Sequence, residues 1–290
     1  MKKNCTIQGF TLVEIAVVLV IIGLIIGGAL VGKDLIAAAR IRAVVSQVEQ
    51  YNTAVKTFQG KYKYLPGDIV QSDAVNFGFY ACENNQNPYG IVREGDGDGD
   101  GIISPEASYE YSAPGGISGE MLLLFAHLAQ AQMISANIRL VNASVASGSD
   151  IDMSFTNCSI QSAINSDRIS SIFPVAKLDG RAYLIPLSSD SINYYQLSGV
   201  TTVNNDGMGS SDFEYALTPL VAYAIDTKND DGKPNSGATQ ARGGLTRINQ
   251  AATAGSDPTD CTTASDQTGV YNTSDAAAAN SKNCHLLLRM

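Results

Sequence analysis

The stretch EGDGDGDGIISPE, from Glu94 to Glu106, is where residue types and spacing come nearest to chemistry. Four acidic side chains and four glycines fill the eight residues from Glu94 to Gly101. Asp96, Asp98 and Asp100 take the first, third and fifth places of an EF-hand-like loop, with Gly101 at the sixth. Ile102 offers its carbonyl at the seventh place, Ile103 is the apolar eighth, and Ser104 is the ninth. Alternate aspartates converge because the intervening glycines let the backbone coil tightly, and such a nest of hard oxygens suits calcium. The twelfth place departs from the pattern. It is Ala107, so the closing carboxylate is missing or is supplied in another geometry by Glu106 or Glu110. The competing reading is a solvated acidic turn.

A second acidic group lies in IDTKNDDGKPNSG, with Asp226, Asn229, Asp230 and Asp231. Asn-Asp-Asp-Gly is also a good turn sequence, since Asn and Asp bond their own backbone and glycine accepts positive φ. Covalent chemistry has little to work with. The chain has two histidines, no HExxH, no G-x-S-x-G and no P-loop. His127 falls inside an apolar helical pattern, where a lone histidine is a packed or surface residue far more often than a ligand. The sequence reads as a non-enzyme.

These loops must be carried by something, and the first sixty residues say what. Lys2 and Lys3 precede an apolar stretch, and Ile15 to Gly32 runs eighteen residues without a charge. As a helix, Phe10 to Gly32 rises about 34 Å, enough to span a bilayer. The leading lysines keep the N-terminus cytoplasmic. A secretory signal peptide is the bland alternative. Glu14 at the start of the run and the lack of a clean small-x-small cleavage site before Lys33 oppose it. Beyond the span, Ile41, Val44, Val45, Val48, Tyr51, Val55 and Phe58 recur at helical spacing and define one apolar face. One helix is therefore predicted from about Phe10 to Gln59, stopped by Gly60 and the Pro66-Gly67 turn. Its first half needs lipid or other helices around it, and its second half needs a folded domain.

Gly9-Phe10-Thr11-Leu12-Val13-Glu14 after a short basic leader resembles the processing site of type IV pilins and type II secretion pseudopilins. The resemblance implies cleavage after Gly9 by a membrane prepilin peptidase and methylation of the new N-terminal residue, Phe10. It implies an α+β pilin-like fold: a long N-terminal helix packed on an antiparallel sheet. The corresponding division is a leader at 1–9, a transmembrane half-helix at 10–32, an amphipathic half-helix at 33–60 and a head at 61–290. A carboxylate such as Glu14 costs a few kcal/mol in lipid unless paired. The α-amino group of a neighbouring subunit's Phe10 is a suitable partner and would set the filament register; snorkelling to the headgroups is the alternative. Expected partners are other subunits through the helix, the peptidase and an inner-membrane assembly platform. The head would be periplasmic, or extracellular in a surface pilus. The assignment expected first is a secretion pseudopilin, then a major or minor type IV pilin. A monomeric membrane-anchored binding module is the reading from another class. Some pseudopilins carry calcium in a loop of the sheet region, which bears on the second acidic group.

The chain has 28 acidic against 19 basic residues and a net charge of -9, and the acidic excess lies beyond the apolar run. No basic patch is visible, so nucleic acid is not expected unless the chain belongs to a DNA-uptake pilus. GEMLLLFAHLAQAQMIS predicts a helix capped by Ser118, with Met121, Leu124, Phe125, Leu128 and Ile134 turned to one face of a sheet. IDMSF, FPVAKLDGRAYLIPL and NYYQLSG predict strands, with Asp179-Gly180 as a hairpin turn. Thr218-Pro219 predicts a capped helix reaching Ile225. From Ala251 to Asn283 the chain is Ser/Thr/Ala/Asp-rich and reads as a surface excursion. With Cys5 lost in the leader, Cys82, Cys158, Cys261 and Cys284 remain. They allow three connectivities, of which Cys261–Cys284 with Cys82–Cys158 is preferred because it tethers the polar stretch. Closing such a loop stabilises by roughly 3 kcal/mol.

Overall fold

The computed structural model describes residues 12–81, 97–103, 119–136, 138, 140–142, 151–154, 159–160, 164–165, 169–178, 182–189, 191–203, 212–242, 261–263, 269–274, 279 and 281–290. Helix α1 runs unbroken from Leu12 to Tyr62, 51 residues. It passes through Gly60, where the sequence pattern predicted a stop. A single interior glycine costs a helix only about 1 kcal/mol, and the helix ends instead where Lys63 turns to φ 69°. Along its second half Val44, Val48, Val55 and Phe58 are buried, and Ile41, Val45 and Tyr51 are partly so, which is the face the spacing predicted.

One buried residue of α1 was not foreseen. Gln47 donates from Nε2 to the Val175 carbonyl at 2.9 Å and accepts from the Lys177 N–H at Oε1 at 3.0 Å. Its amide thus completes the edge of an extended segment much as a strand would.

After α1 come a short helix α2, Gln71–Phe77, and α3, Glu120–Gln130. The helix α3 begins after Gly119 rather than Ser118, and it is buried on all sides over residues 120–128 instead of on one face. The reason is position. Tyr51 of α1 meets Phe125 at 5.3 Å, and Phe125 stacks at 5.9 Å on Tyr195 of the sheet, so α3 sits between helix and sheet. The residues behind its expected face, Leu122, Leu123 and Ala126, are apolar and fill that space.

The strands are β1 (Leu140–Asn142), β2 (Ile151–Ser154), β3 (Ser159–Ile160), β4 (Ile164–Asn165), β5 (Tyr183–Ser189), β6 (Ile192–Val203), β7 (Asp212–Glu214), β8 (Thr239–Arg242) and β9 (His285–Arg289). A fourth helix, α4, spans Pro219–Asn229. The main sheet follows the order β4-β6-β9-β8, with β5 and β7 also paired to β6, and every pairing in it is antiparallel. The long strand β6 is its organiser: β5 and β9 both pair along Tyr194–Leu197. A separate small sheet orders β1-β2-β3 and contains a parallel pair, β1 with β2, so Ile151–Ser154 forms its strand outside the main sheet, and Phe155 lies outside the described residues. Asp179 and Gly180 lie outside the described residues. Their flanks meet antiparallel, with the Ala176 N–H donating to the Ala182 carbonyl at 2.8 Å. The fold is α+β: a long helix, apolar in its first half, and an antiparallel sheet.

Thr218 caps α4 as expected, its hydroxyl accepting from the Val221 N–H at 3.3 Å with Pro219 at the first helical position. The helix runs on to Asn229, past the expected Ile225. The polar stretch after β8 is a surface excursion only in part where it is described: Thr263, Val270, Thr273, Ser274, Ser281 and Lys282 are exposed. Cys261, Thr262, Tyr271 and Cys284 are all buried, because a disulfide and a tyrosine anchor it.

Candidate functional site

The acidic loop is built by its glycines. Gly97, Gly99 and Gly101 all adopt positive φ, 75°, 79° and 85°, and the chain coils around the aspartates between them. Gly97 is the most constrained: a Cβ there would sit 2.2 Å from the Ile69 carbonyl oxygen. Two local bonds set the coil. The Asp98 carboxylate accepts from the Asp100 N–H at 2.9 Å, and Asp100 accepts from the Ile102 N–H at 2.6 Å. Asn193, in β6, fixes the far end by accepting from the Ile103 N–H at 2.8 Å and donating to the Gly101 carbonyl at 2.8 Å.

The residue that organises the loop lies thirty positions upstream. Asp68, buried just after the Pro66-Gly67 turn, accepts from the Gly99 N–H at Oδ1 (2.6 Å) and from the Gly101 N–H at Oδ2 (2.7 Å). One carboxylate oxygen from each of Asp68, Asp98 and Asp100 lies within 4.8 Å of the other two. Burial pushes the Asp68 carboxyl up to about 6 against the pull of its two N–H donors, and Asp98 and Asp100 push it the same way. A hard, oxygen-seeking cation is the ligand this donor set suits, because the ligand atoms brought together among the described residues are carboxylate oxygens.

Asp98 and Asp100 are therefore brought together as the spacing predicted. Ile102 is in the loop, with its N–H given to Asp100. Asp96, Ser104 and Glu106 lie outside the described residues, as does Glu110. Asp68 escaped sequence reasoning; its one sequence signal is a carboxylate directly after a Pro-Gly turn, which is common in loops of every kind.

The loop's neighbour explains His127. Its ring is fully buried on α3; Nδ1 accepts from the Gly67 N–H at 2.9 Å, so the proton sits on Nε2 and is donated to the Tyr80 carbonyl at 2.8 Å. Burial pushes this imidazole down to about 4. Both nitrogens hold backbone. His127 is thus a packed residue, and it clasps the Pro66-Gly67 turn that presents Asp68.

The second acidic group also converges, with carboxylate oxygens of Asp226, Asp230 and Asp231 within 4.8 Å of one another. Asp226 is buried on α4 and accepts from the Tyr271 hydroxyl at 2.9 Å and the Gly232 N–H at 3.3 Å. Burial pushes its carboxyl up to about 6, opposed by those two donors and reinforced by Asp231 and Asp230. Asp230 accepts from the Thr239 N–H at 3.3 Å, and Asp231 from the Lys233 N–H at 2.8 Å and the Ser236 hydroxyl at 2.9 Å. Turn formation thus accounts for much of this arrangement. Asn229 takes no part in it and donates to Thr239 at 2.7 Å.

The third functional element is α1 itself. It is long and apolar enough to cross a membrane, with its most apolar eighteen-residue window at a mean hydropathy of 2.9 and none of that window buried. From Leu12 to Ile36 its large apolar side chains stand exposed, and Glu14 lies in the first described turn. Gly9 and Phe10 lie outside the described residues, as do Cys82 and Cys158. The Cys261–Cys284 disulfide is formed, with Cα atoms 5.1 Å apart. Compared with known protein families, with curated proteins and with solved structures, the chain gives no significant match.

Proposed function

We propose that this chain is a prepilin-like filament subunit, cut after Gly9 and methylated on Phe10 by a prepilin peptidase and assembled through α1. Its place is a type II secretion system, as a pseudopilin, where growth of a short filament helps drive folded substrates outward. The observation that carries this reading is the change of character along one unbroken helix. Residues 12–36 expose their large apolar side chains with an acid in the first turn, while residues 44–58 bury an apolar face against the head. An anchor alone accounts for the bare apolar surface. It does not account for Glu14, which costs free energy in lipid and gains it back beside the α-amino group of a neighbouring subunit's Phe10.

In this reading the N-terminus enters the inner membrane from the cytoplasm, the head is periplasmic, and an inner-membrane platform handles assembly. The head acts by shape and contact rather than by catalysis. Calcium, taken by Asp68, Asp98 and Asp100, holds the 97–103 loop in its coil. A major or minor type IV pilin, with an extracellular head, shares the same helix and is the second reading.

Glu14→Ala tests the filament. Assembly and secretion should fall to background while the variant still inserts and is still cleaved; unchanged assembly returns the chain to a monomeric anchored binding module. Calcium is tested by melting the detergent-solubilised chain with calcium and with chelator. The wild type should melt higher with calcium and Asp98→Asn should lose the difference, whereas equal wild-type melting temperatures remove calcium from the reading.

A further inference from the structure

The amide of Gln47 stands where a neighbouring strand would. Val175 bridges Tyr183 of β5 antiparallel, with the Ala176 N–H donating to the Ala182 carbonyl at 2.8 Å and the Leu184 N–H to the Pro174 carbonyl at 3.1 Å. Successive residues of an extended chain turn their main-chain groups to opposite sides, so those of Val175 point away from β5. On that outer side Gln47 donates to the Val175 carbonyl at 2.9 Å and accepts from the Lys177 N–H at 3.0 Å. A parallel strand makes the same two bonds through the N–H and C=O of one residue, here the residue facing Ala176. The rung beside it is open: among the described residues nothing accepts from the Val175 N–H, and Val175 is 45% exposed.

This edge lines a groove of about 850 Å³, and α1 lines it from the other side. There Ser46, Gln50, Thr53 and Thr57 follow one another every three or four residues as an exposed, uncharged stripe. The Thr53 and Thr57 hydroxyls donate to the Glu49 and Thr53 carbonyls at 2.9 and 2.7 Å, which leaves their oxygens able to accept. We propose that the groove is a strand-addition site: an extended, uncharged segment of a partner polypeptide pairs in parallel with residues 174–177, and Gln47 fills the central rung until that segment displaces it. A polypeptide is the occupant because both walls answer main-chain groups. The edge serves one side of an added strand, and the α1 hydroxyls accept N–H groups from its other side. The lining holds one acid, Glu49, and one base, Lys177, so it gives no preference to a charged segment. The groove lies in the head, beyond the apolar half of α1, and does not rest on the filament reading.

The test titrates the full chain in detergent with a fluorescein-labelled peptide of alternating threonine and valine, kept soluble by a lysine at each end, and reads anisotropy. Two further peptides carry N-methyl groups, one on every second amide and the other on the remaining amides, so that each edge of the strand is blocked in turn. Wild type should bind the parent peptide, and one of the two methylation patterns should weaken that binding about tenfold. Gln47→Ala frees the rung and should bind the parent peptide about tenfold more tightly than wild type does. Val175→Pro removes the open N–H and should weaken binding while the protein melts as before. The wild-type comparison needs no variant and decides the pairing by itself. No binding of the parent peptide, or equal binding of all three peptides, overturns the proposal. So does a folded Gln47→Ala variant with unchanged affinity, because Gln47 is then a fixed part of the edge and not a placeholder.

Discussion

His127 offers the sharpest test of how the head is held together. Its neutral ring is pinned between the Gly67 N–H and the Tyr80 carbonyl, so protonation breaks the first bond and places a charge in the core. Its folded pKa lies at about 4 against an ordinary 6.5. For a group depressed on folding, the stabilisation is complete above the unfolded value and is lost as pH falls through the folded one. The window is therefore pH 6.5 down to about 4, and each unit is worth about 1.4 kcal/mol. By pH 5 the loss is about 2 kcal/mol.

Asp68 and Asp226 run the other way. Their carboxyls are raised to about 6, so their contribution is present at low pH and is lost as pH rises through that value. A bare pH profile would mix the effects, and the His127→Phe variant separates them. Phenylalanine keeps the contacts with Phe58 and Phe79 but strands two buried backbone groups, at a cost of about 2–4 kcal/mol at neutral pH. That deficit should shrink by about 2 kcal/mol at pH 5, because only the wild type bears the protonation of its unfolded chain. Urea unfolding of both proteins in detergent, in chelator and followed by tyrosine near-UV dichroism, measures the difference directly. A deficit that stays constant from pH 7.5 to 5 refutes the buried neutral ring.

Two further substitutions probe local geometry. Gly97→Ala drives a Cβ into the Ile69 backbone and should cost at least about 2 kcal/mol in thermal or urea unfolding. Gly101→Ala, with open space at the same sign of φ, should cost about 1 kcal/mol; equal effects would mean the loop does not lie against Ile69. Thr218→Ala removes the cap of α4 and should lower stability by about 1 kcal/mol, with Thr218→Ser restoring it. A neutral alanine variant would show the cap bond to be idle.

What could be read in the sequence was whatever depends on neighbours along the chain. The periodicity from Ile41 to Phe58 defined the buried face of α1, Thr218-Pro219 defined the start of α4, and alternating Gly and Asp defined a coiled acidic loop. Each of these is set within a few residues by backbone sterics and local hydrogen bonds. The bare apolar run from Leu12 to Ile36 was equally legible, because what a helix must hide depends only on its composition.

What the tertiary structure decided are the long-range pairings, and these make the site. The third carboxylate of the loop is Asp68, about thirty residues before Asp98 and Asp100, and no spacing rule connects them. Gln47 completes a strand edge at Val175 and Lys177, His127 clasps two loops from one helix, and Tyr271 covers Asp226 from the far end of a polar stretch that read as surface. A polar side chain is buried only where the fold supplies its partners, and those partners are backbone groups and hydroxyls that every sequence contains in abundance. Their identity therefore leaves no mark in the sequence until the chain has folded.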